Sequence, residues 1–202
     1  MSARVHEFTA RPLRWSPYLA PVRLEEASPQ QLEAMKVTPS NRKVSDYVLT
    51  LAHDPESLAV RSPLYNAIMY GRDGLPSAER ELAAAAASVV NRCVYCLSVH
   101  AGRYLQLTER QDVVDAVLAQ GEATAGLDER AQAVFDFAVR LSATPSGASA
   151  ADIAALRRFG LGPLEILDLV LAAGIFAWAN RLMHTLGEAV EPESCKPKSG
   201  EP

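Results

Sequence analysis

The sequence predicts an all-α fold, and three observations carry that reading. No segment of the 202 residues convincingly alternates apolar and polar side chains with the period of two that a half-buried strand requires. Prolines crowd the chain as far as Pro76 and then none occurs until Pro145, which leaves a long run free of helix breakers. That run contains ELAAAAASVV, a block of the strongest helix former, and it is divided by residues that cap helices.

Residues 1–40 read as an extended N-terminal arm laid on the surface or on a neighbouring subunit. Helices are expected near Pro29–Val37, Asn41–Ala52 and Pro55–Tyr70, the first and third opening on a proline. Ser77 is expected to cap a helix whose first turn holds Glu79 and Glu81. A break at Asn91–Arg92 separates it from a helix that starts at the cysteines and runs to about Leu105. The stretch TERQ at Thr108–Gln111 has the form of a capping box, and DVVDAVL after it keeps its apolar residues on one helical face. Asp128 is placed to cap a helix through Leu141, and Ser149 with Asp152 another through Phe159. Gly160, Gly162 and Pro163 punctuate before a last helix from Leu164 to Gly187, apolar over much of its circumference.

Residues 41–190 are thus expected to form one helical domain, followed by a polar, proline-containing tail at 191–202 that should be disordered and make Cys195 a bystander thiol. The stretches GLPSAERELAAA from Gly74 and GLGPLEILDLVLAA from Gly160 share an order: Gly-Leu, then Pro, then Glu, then an apolar helix. They read as an internal helical duplication whose second copy has no cysteines.

Composition narrows the function. A net charge of −4 offers no general attraction to nucleic acid or to an anionic membrane. The amino-terminal MSARVHEFTARPLRW has no apolar core of a secretory signal, so a cytoplasmic protein is expected. The longest apolar stretch, LDLVLAAGIFAWAN, carries Asp168 and falls short of the ~20 apolar residues of a membrane span.

The chemistry concentrates in NRCVYCLSVH, Asn91 to His100. A cysteine at a helix N-terminus gains from the helix dipole and from free N–H groups, which lower its pKa from ~8.5 and make it a nucleophile. Cys96 and His100 are four residues apart on one helical face, so the imidazole is a candidate base for the thiol. Glu81 would lie ~18 Å from Cys93 along one straight helix. A hairpin at Asn91–Arg92 instead brings it back toward His100, giving a carboxylate that orients an imidazole. Two rivals stay open. Cys93, Cys96 and His100 could serve as zinc ligands with His184 or Glu81 as the fourth, or the cysteines could be inert core residues.

The pattern Glu-x(11)-Cys-x-x-Cys-x-x-x-His, formed by Glu81, Cys93, Cys96 and His100, resembles the active-site signature of the alkylhydroperoxidase D (AhpD-like) branch of the carboxymuconolactone decarboxylase family. The likeness is strongest over Leu75–Leu107, with a looser likeness to the peroxidase-related subgroup over most of the chain. One position departs: Tyr95 stands where the best-known members carry a histidine. The resemblance implies an all-helical AhpD-like domain, a homo-oligomer (dimer, trimer or hexamer), and thiol-dependent reduction of organic hydroperoxides or hydrogen peroxide. It assigns Cys96 as the peroxidatic cysteine, Cys93 as the resolving one, and Glu81 and His100 as the proton relay. No metal or other cofactor is required, and the disulfide is returned to thiols by an external dithiol, a lipoyl or thioredoxin-like protein.

Other functions remain in view: a redox sensor or interaction protein with slow turnover, and a decarboxylase acting on a small lactone acid. Ser88 and Asn91 are expected in helix packing and at the hinge. Trp178, Asn180, Arg181 and His184 could line a substrate pocket, but packing and subunit contact, with Arg181 in an ion pair, is the favoured reading.

Overall fold

The computed structural model describes residues 3–36 and 43–192. In chain order, the elements are β1 (Arg14–Pro17), α1 (Pro29–Ala34), α2 (Asp46–Leu51), α3 (Pro55–Tyr70), α4 (Ser77–Val90), α5 (Val94–Thr108), α6 (Gln111–Gln120), α7 (Glu129–Ser142), α8 (Ala150–Arg158), α9 (Pro163–Leu186) and β2 (Gly187–Val190), with a single 3-10 turn at Gly121–Ala123. The protein is all-α apart from the β1–β2 ribbon.

Helix α4 is the axis, buried at every residue from Arg80 to Val89. α5, α7 and α9 pack around it. The alanines at 83–87 explain the arrangement, because one-carbon side chains favour the helix and let neighbouring backbones approach on all sides. Phe135, Leu97, Leu169 and Val113 close the space around them. α9 is long and apolar enough to cross a membrane, but half of its most apolar window is buried inside the protein, as in a core helix.

Several local expectations are corrected. Ser77 is the first residue of α4 rather than its cap; Pro76 holds the cap position without a side-chain bond. TERQ makes no capping box, because α5 runs on to Thr108 and Glu109 ends it in the left-handed region at φ 58°. Thr108 Oγ instead accepts from the Arg110 N–H at 3.2 Å. The helix expected over Asn41–Ala52 begins at Asp46, since Ser45 caps it by accepting from the Val48 N–H at 3.3 Å. Positions 41 and 42, Val37, and Cys195 with the rest of 193–202 lie outside the described residues.

The last helix stops at Leu186, and Gly187 opens β2, which pairs antiparallel with β1: Trp15 opposite Ala189 and Pro17 opposite Gly187. Four-residue strands are too short to print an alternating pattern. A Cβ at Gly187 would come 2.5 Å from the Ser16 carbonyl and the Trp15 ring, so only glycine fits there. Trp15, 4% exposed, donates its indole N–H to the Met183 carbonyl at 3.1 Å and fixes the ribbon to the end of α9.

The two Gly-Leu stretches occupy equivalent places. Gly74 and Gly160 both have positive φ, 80° and 85°, and each precedes a core helix, α4 or α9. Glu79 and Glu165, in the first turns of those helices, converge on Arg130 of α7 at 2.7 and 3.0 Å. Arg80, 1% exposed, donates to the carbonyls of Ile68, Asp73 and Leu75 and pairs with Asp168 at 2.7 Å. A buried guanidinium with its donors satisfied in this way holds the 71–75 loop against the start of α4.

Candidate active site

The site begins with the turn between α4 and α5. Asn91 closes α4, Arg92 takes the left-handed conformation at φ 56°, and Cys93 becomes the N-cap of α5 with its own N–H given to the Ser88 carbonyl at 2.8 Å. The chain reverses and lays α5 along α4. That reversal brings Glu81 against His100, with His100 Nδ1 hydrogen-bonded to Glu81 Oε2. Both residues are buried, and the His100 ring stands edge-on to Phe176 of α9 at 4.1 Å. With Nδ1–H held by the carboxylate, the neutral imidazole carries its lone pair on Nε2.

Cys93 and Cys96 are both free thiols and both buried, in a cluster with Trp15 and Met183 flanked by Tyr47 and Tyr95. Their surroundings differ. The Cys96 thiol donates to the Cys93 sulfur, and the Cys96 backbone N–H adds a second donor, so the Cys93 pKa is held below its ordinary value in spite of burial. Cys96 bears the converse: its proton is held by Cys93 and its burial disfavours charge, so its pKa is raised. One shared hydrogen bond thus acts on the two thiols in opposite directions, lowering the Cys93 pKa and raising that of Cys96.

Asn180 of α9 was expected in packing, yet it is fully buried, with its carboxamide beside both sulfurs. In the orientation that satisfies the amide, its NH2 donates to the carbonyls of Phe176 (2.9 Å) and Ala87 (3.2 Å), and its oxygen accepts from Ser88 Oγ at 3.2 Å. Arg103, one turn after His100 on α5, lies 3.7 Å from the other oxygen of Glu81 and donates to the Tyr70 hydroxyl. Tyr47 of α2 meets Trp15 edge-on at 5.4 Å, and burial pushes its phenol up to about 12. None of these three carried a spacing signal, although Arg103 follows His100 at i+3 on one helical face.

His184 Nε2 donates to the Asn91 carbonyl at 2.7 Å, which ties the end of α9 to the turn before Cys93. Arg181, expected in an ion pair, instead donates to the Ala177 carbonyl and meets no carboxylate among the described residues. Among the described residues, no three His, Cys, Asp or Glu side chains gather as a ligand set, so the zinc reading of Cys93, Cys96 and His100 has no cage to support it.

Residues 55–140 match the carboxymuconolactone decarboxylase family. No curated protein sequence matches the chain. Among solved structures, an uncharacterized peroxidase-related protein with an alkylhydroperoxidase AhpD core, from Ralstonia eutropha JMP134, superposes with a TM-score of 0.71 at 27% identity, over 85% of this chain and 90% of that one. A second uncharacterized peroxidase-related protein, from Silicibacter sp. TM1040, gives 0.68 at 23% identity, over 84% and 91%. A cysteine-to-alanine variant of the debrominase Bmp8, in complex with 2,3,4-tribromopyrrole, gives 0.64 at 16% identity, over 84% and 89%. The last two share the fold, and the fold serves more than one chemistry.

Proposed function

We propose that the chain, which matches the carboxymuconolactone decarboxylase family over residues 55–140, is an enzyme of its AhpD-like branch that reduces hydrogen peroxide or organic hydroperoxides through the Cys93/Cys96 pair. The observation that carries this reading is a pair of buried free cysteines, one at the N-terminus of α5, followed one turn after Cys96 on the same helix by a buried histidine held by a buried carboxylate. A thiolate attacks the peroxide, leaving a sulfenic acid and an alcohol, and the second sulfur condenses with it to a disulfide and water. Glu81 orients His100, and His100 moves the thiol proton.

An external dithiol, presented by a lipoyl or thioredoxin-like partner, restores the thiols, and the chemistry uses neither metal nor cofactor. We place the reaction in the cytoplasm, where such reductants are available. The domain proper is residues 41–190, with 1–40 as an arm and 191–202 as a tail. Copies of the chain associate as a homo-oligomer; support comes from the exposed apolar strip of Val60, Leu64, Leu167, Leu171 and Trp178 along α3 and α9.

The test is stopped-flow oxidation of the reduced protein by hydrogen peroxide and by cumene hydroperoxide, with thiol counting and mass spectrometry. Rapid loss of two thiols with a Cys93–Cys96 disulfide is expected. Oxidation no faster than that of free cysteine would sink the reading.

A further inference from the structure

A pocket of about 230 Å3 with a mixed polar and apolar lining is walled by Cys93 and not by Cys96. Its walls include Cys93, Arg92 and Tyr95 from the start of α5, Met183 and His184 from the end of α9, and Trp15 of β1. Cys96 is not among them. The N-terminal segment supplies a further wall through His6 and through Arg4, whose guanidinium is anchored on Glu188 at 2.9 Å. His184 is exposed on the pocket side, and its Nε2 is committed to the Asn91 carbonyl, so Nδ1 is the nitrogen left to exchange protons with pocket water.

We propose that this pocket is the peroxide site, that Cys93 is the sulfur oxidised first, and that His184 is the acid for the departing oxygen. The proposal rests on the peroxidase reading and inverts the order of the cysteines that the family resemblance implies. The Cys93 thiolate attacks the terminal peroxide oxygen: the S–O bond forms and the O–O bond breaks. Sulfur loses two electrons, the peroxide gains them, and the alkoxide leaves as an alcohol with a proton that His184 takes up from water. Cys96 keeps its thiol proton through this step. It then attacks the Cys93 sulfenic acid; its proton, moved by His100, leaves with the hydroxyl as water as the disulfide closes.

Each histidine thus serves one sulfur. The lowered pKa of Cys93 agrees with this order. The pocket's size names the substrate class. At about 230 Å3 it lies below the roughly 300–1,000 Å3 of sites for drug-sized ligands, so it suits hydrogen peroxide or a short alkyl hydroperoxide rather than a long-chain lipid one.

The experiment treats Cys93→Ser and Cys96→Ser proteins with stoichiometric hydrogen peroxide in the presence of dimedone, which traps sulfenic acids, and maps the adduct by peptide mass spectrometry. The expected result is one adduct on Cys93 of the Cys96→Ser protein, formed at a rate within about tenfold of the wild-type first step, and an unreactive Cys93→Ser protein. A fast adduct on Cys96 of Cys93→Ser, with Cys96→Ser inert, would overturn the order, and so would inertness of both variants beside a reactive wild type. A wild type that ignores peroxide would instead overturn the peroxidase reading. Should either variant fold poorly, limiting isotope-coded iodoacetamide on the wild-type protein asks the same question: Cys93 should be labelled first, and Cys96 first would refute it. His184→Gln, which keeps a donor for Asn91, should slow peroxide consumption about a hundredfold or more; an unchanged rate removes His184 from the mechanism.

Discussion

The two sides of the cysteine pair are built from similar parts and differ in their contact with solvent. On the Cys96 side, His100 is 3% exposed and held by a carboxylate that is itself buried. On the Cys93 side, His184 is exposed and held by a neutral backbone carbonyl at the rim of a pocket. A buried histidine with a fixed partner suits proton transfer inside the protein, and an exposed one suits exchange with solvent. In the proposed mechanism, that difference sorts the sulfur that meets the substrate from the sulfur that waits for it.

The largest expected effect breaks the buried side. His100→Gln should slow disulfide closure by about 10²–10⁴-fold, while the first oxidation changes little; rapid mixing that follows sulfenic acid and disulfide separately would show it. Equal slowing of both steps would mean that one histidine serves both sulfurs. Next comes a control on the scaffold. Arg80→Met leaves three carbonyls without this donor and Asp168 without its cation, with only the Leu75 N–H still donating to it, and should cost about 3–5 kcal/mol in urea unfolding, yet leave the rate per folded molecule unchanged.

A smaller effect sharpens the comparison by pH. Because donors from Cys96 hold the Cys93 pKa down, the thiolate persists as pH falls below the ordinary thiol value. Iodoacetamide labelling of Cys93 should therefore stay level through that range and drop only below the lowered pKa. Cys96→Ala removes the thiol donor and should move the drop to higher pH, while Cys96→Ser, which keeps a hydroxyl donor, should move it less. The smallest effect is at Arg130, whose pairs with Glu79 and Glu165 are partly exposed. Arg130→Ala should cost about 1 kcal/mol, measured as a modest shift in the urea midpoint.

The sequence made legible whatever rests on spacing. Glu81 and His100 could be set face to face because residue counts and 1.5 Å per residue determine where a helical hairpin brings its side chains. The limits of α3 and the break after α4 follow from proline, alanine and the turn residues. The β1–β2 ribbon was not legible, because it joins residues 170 to 176 positions apart and each strand is four residues long. Tyr47 was not legible either, and Asn180 and His184 could be named as pocket or ligand candidates but not placed. Each is a single residue with no repeat, placed at the sulfurs by how α9 and α2 pack. The Cys93 pocket is of the same kind, since three distant segments make its walls.

The ribbon also bears on how the protein is made. Translation delivers Cys93 and Cys96 about 90 residues before β2, and β1 has no partner until β2 appears. The helical core around α4 can pack first, since domains begin folding during synthesis. The wall that Trp15 and the N-terminal segment form over Cys93 can only be set in place afterwards. For that interval Cys93 lacks the cover of Trp15, and on the proposed function the closing of the ribbon is the moment at which its thiol becomes selective.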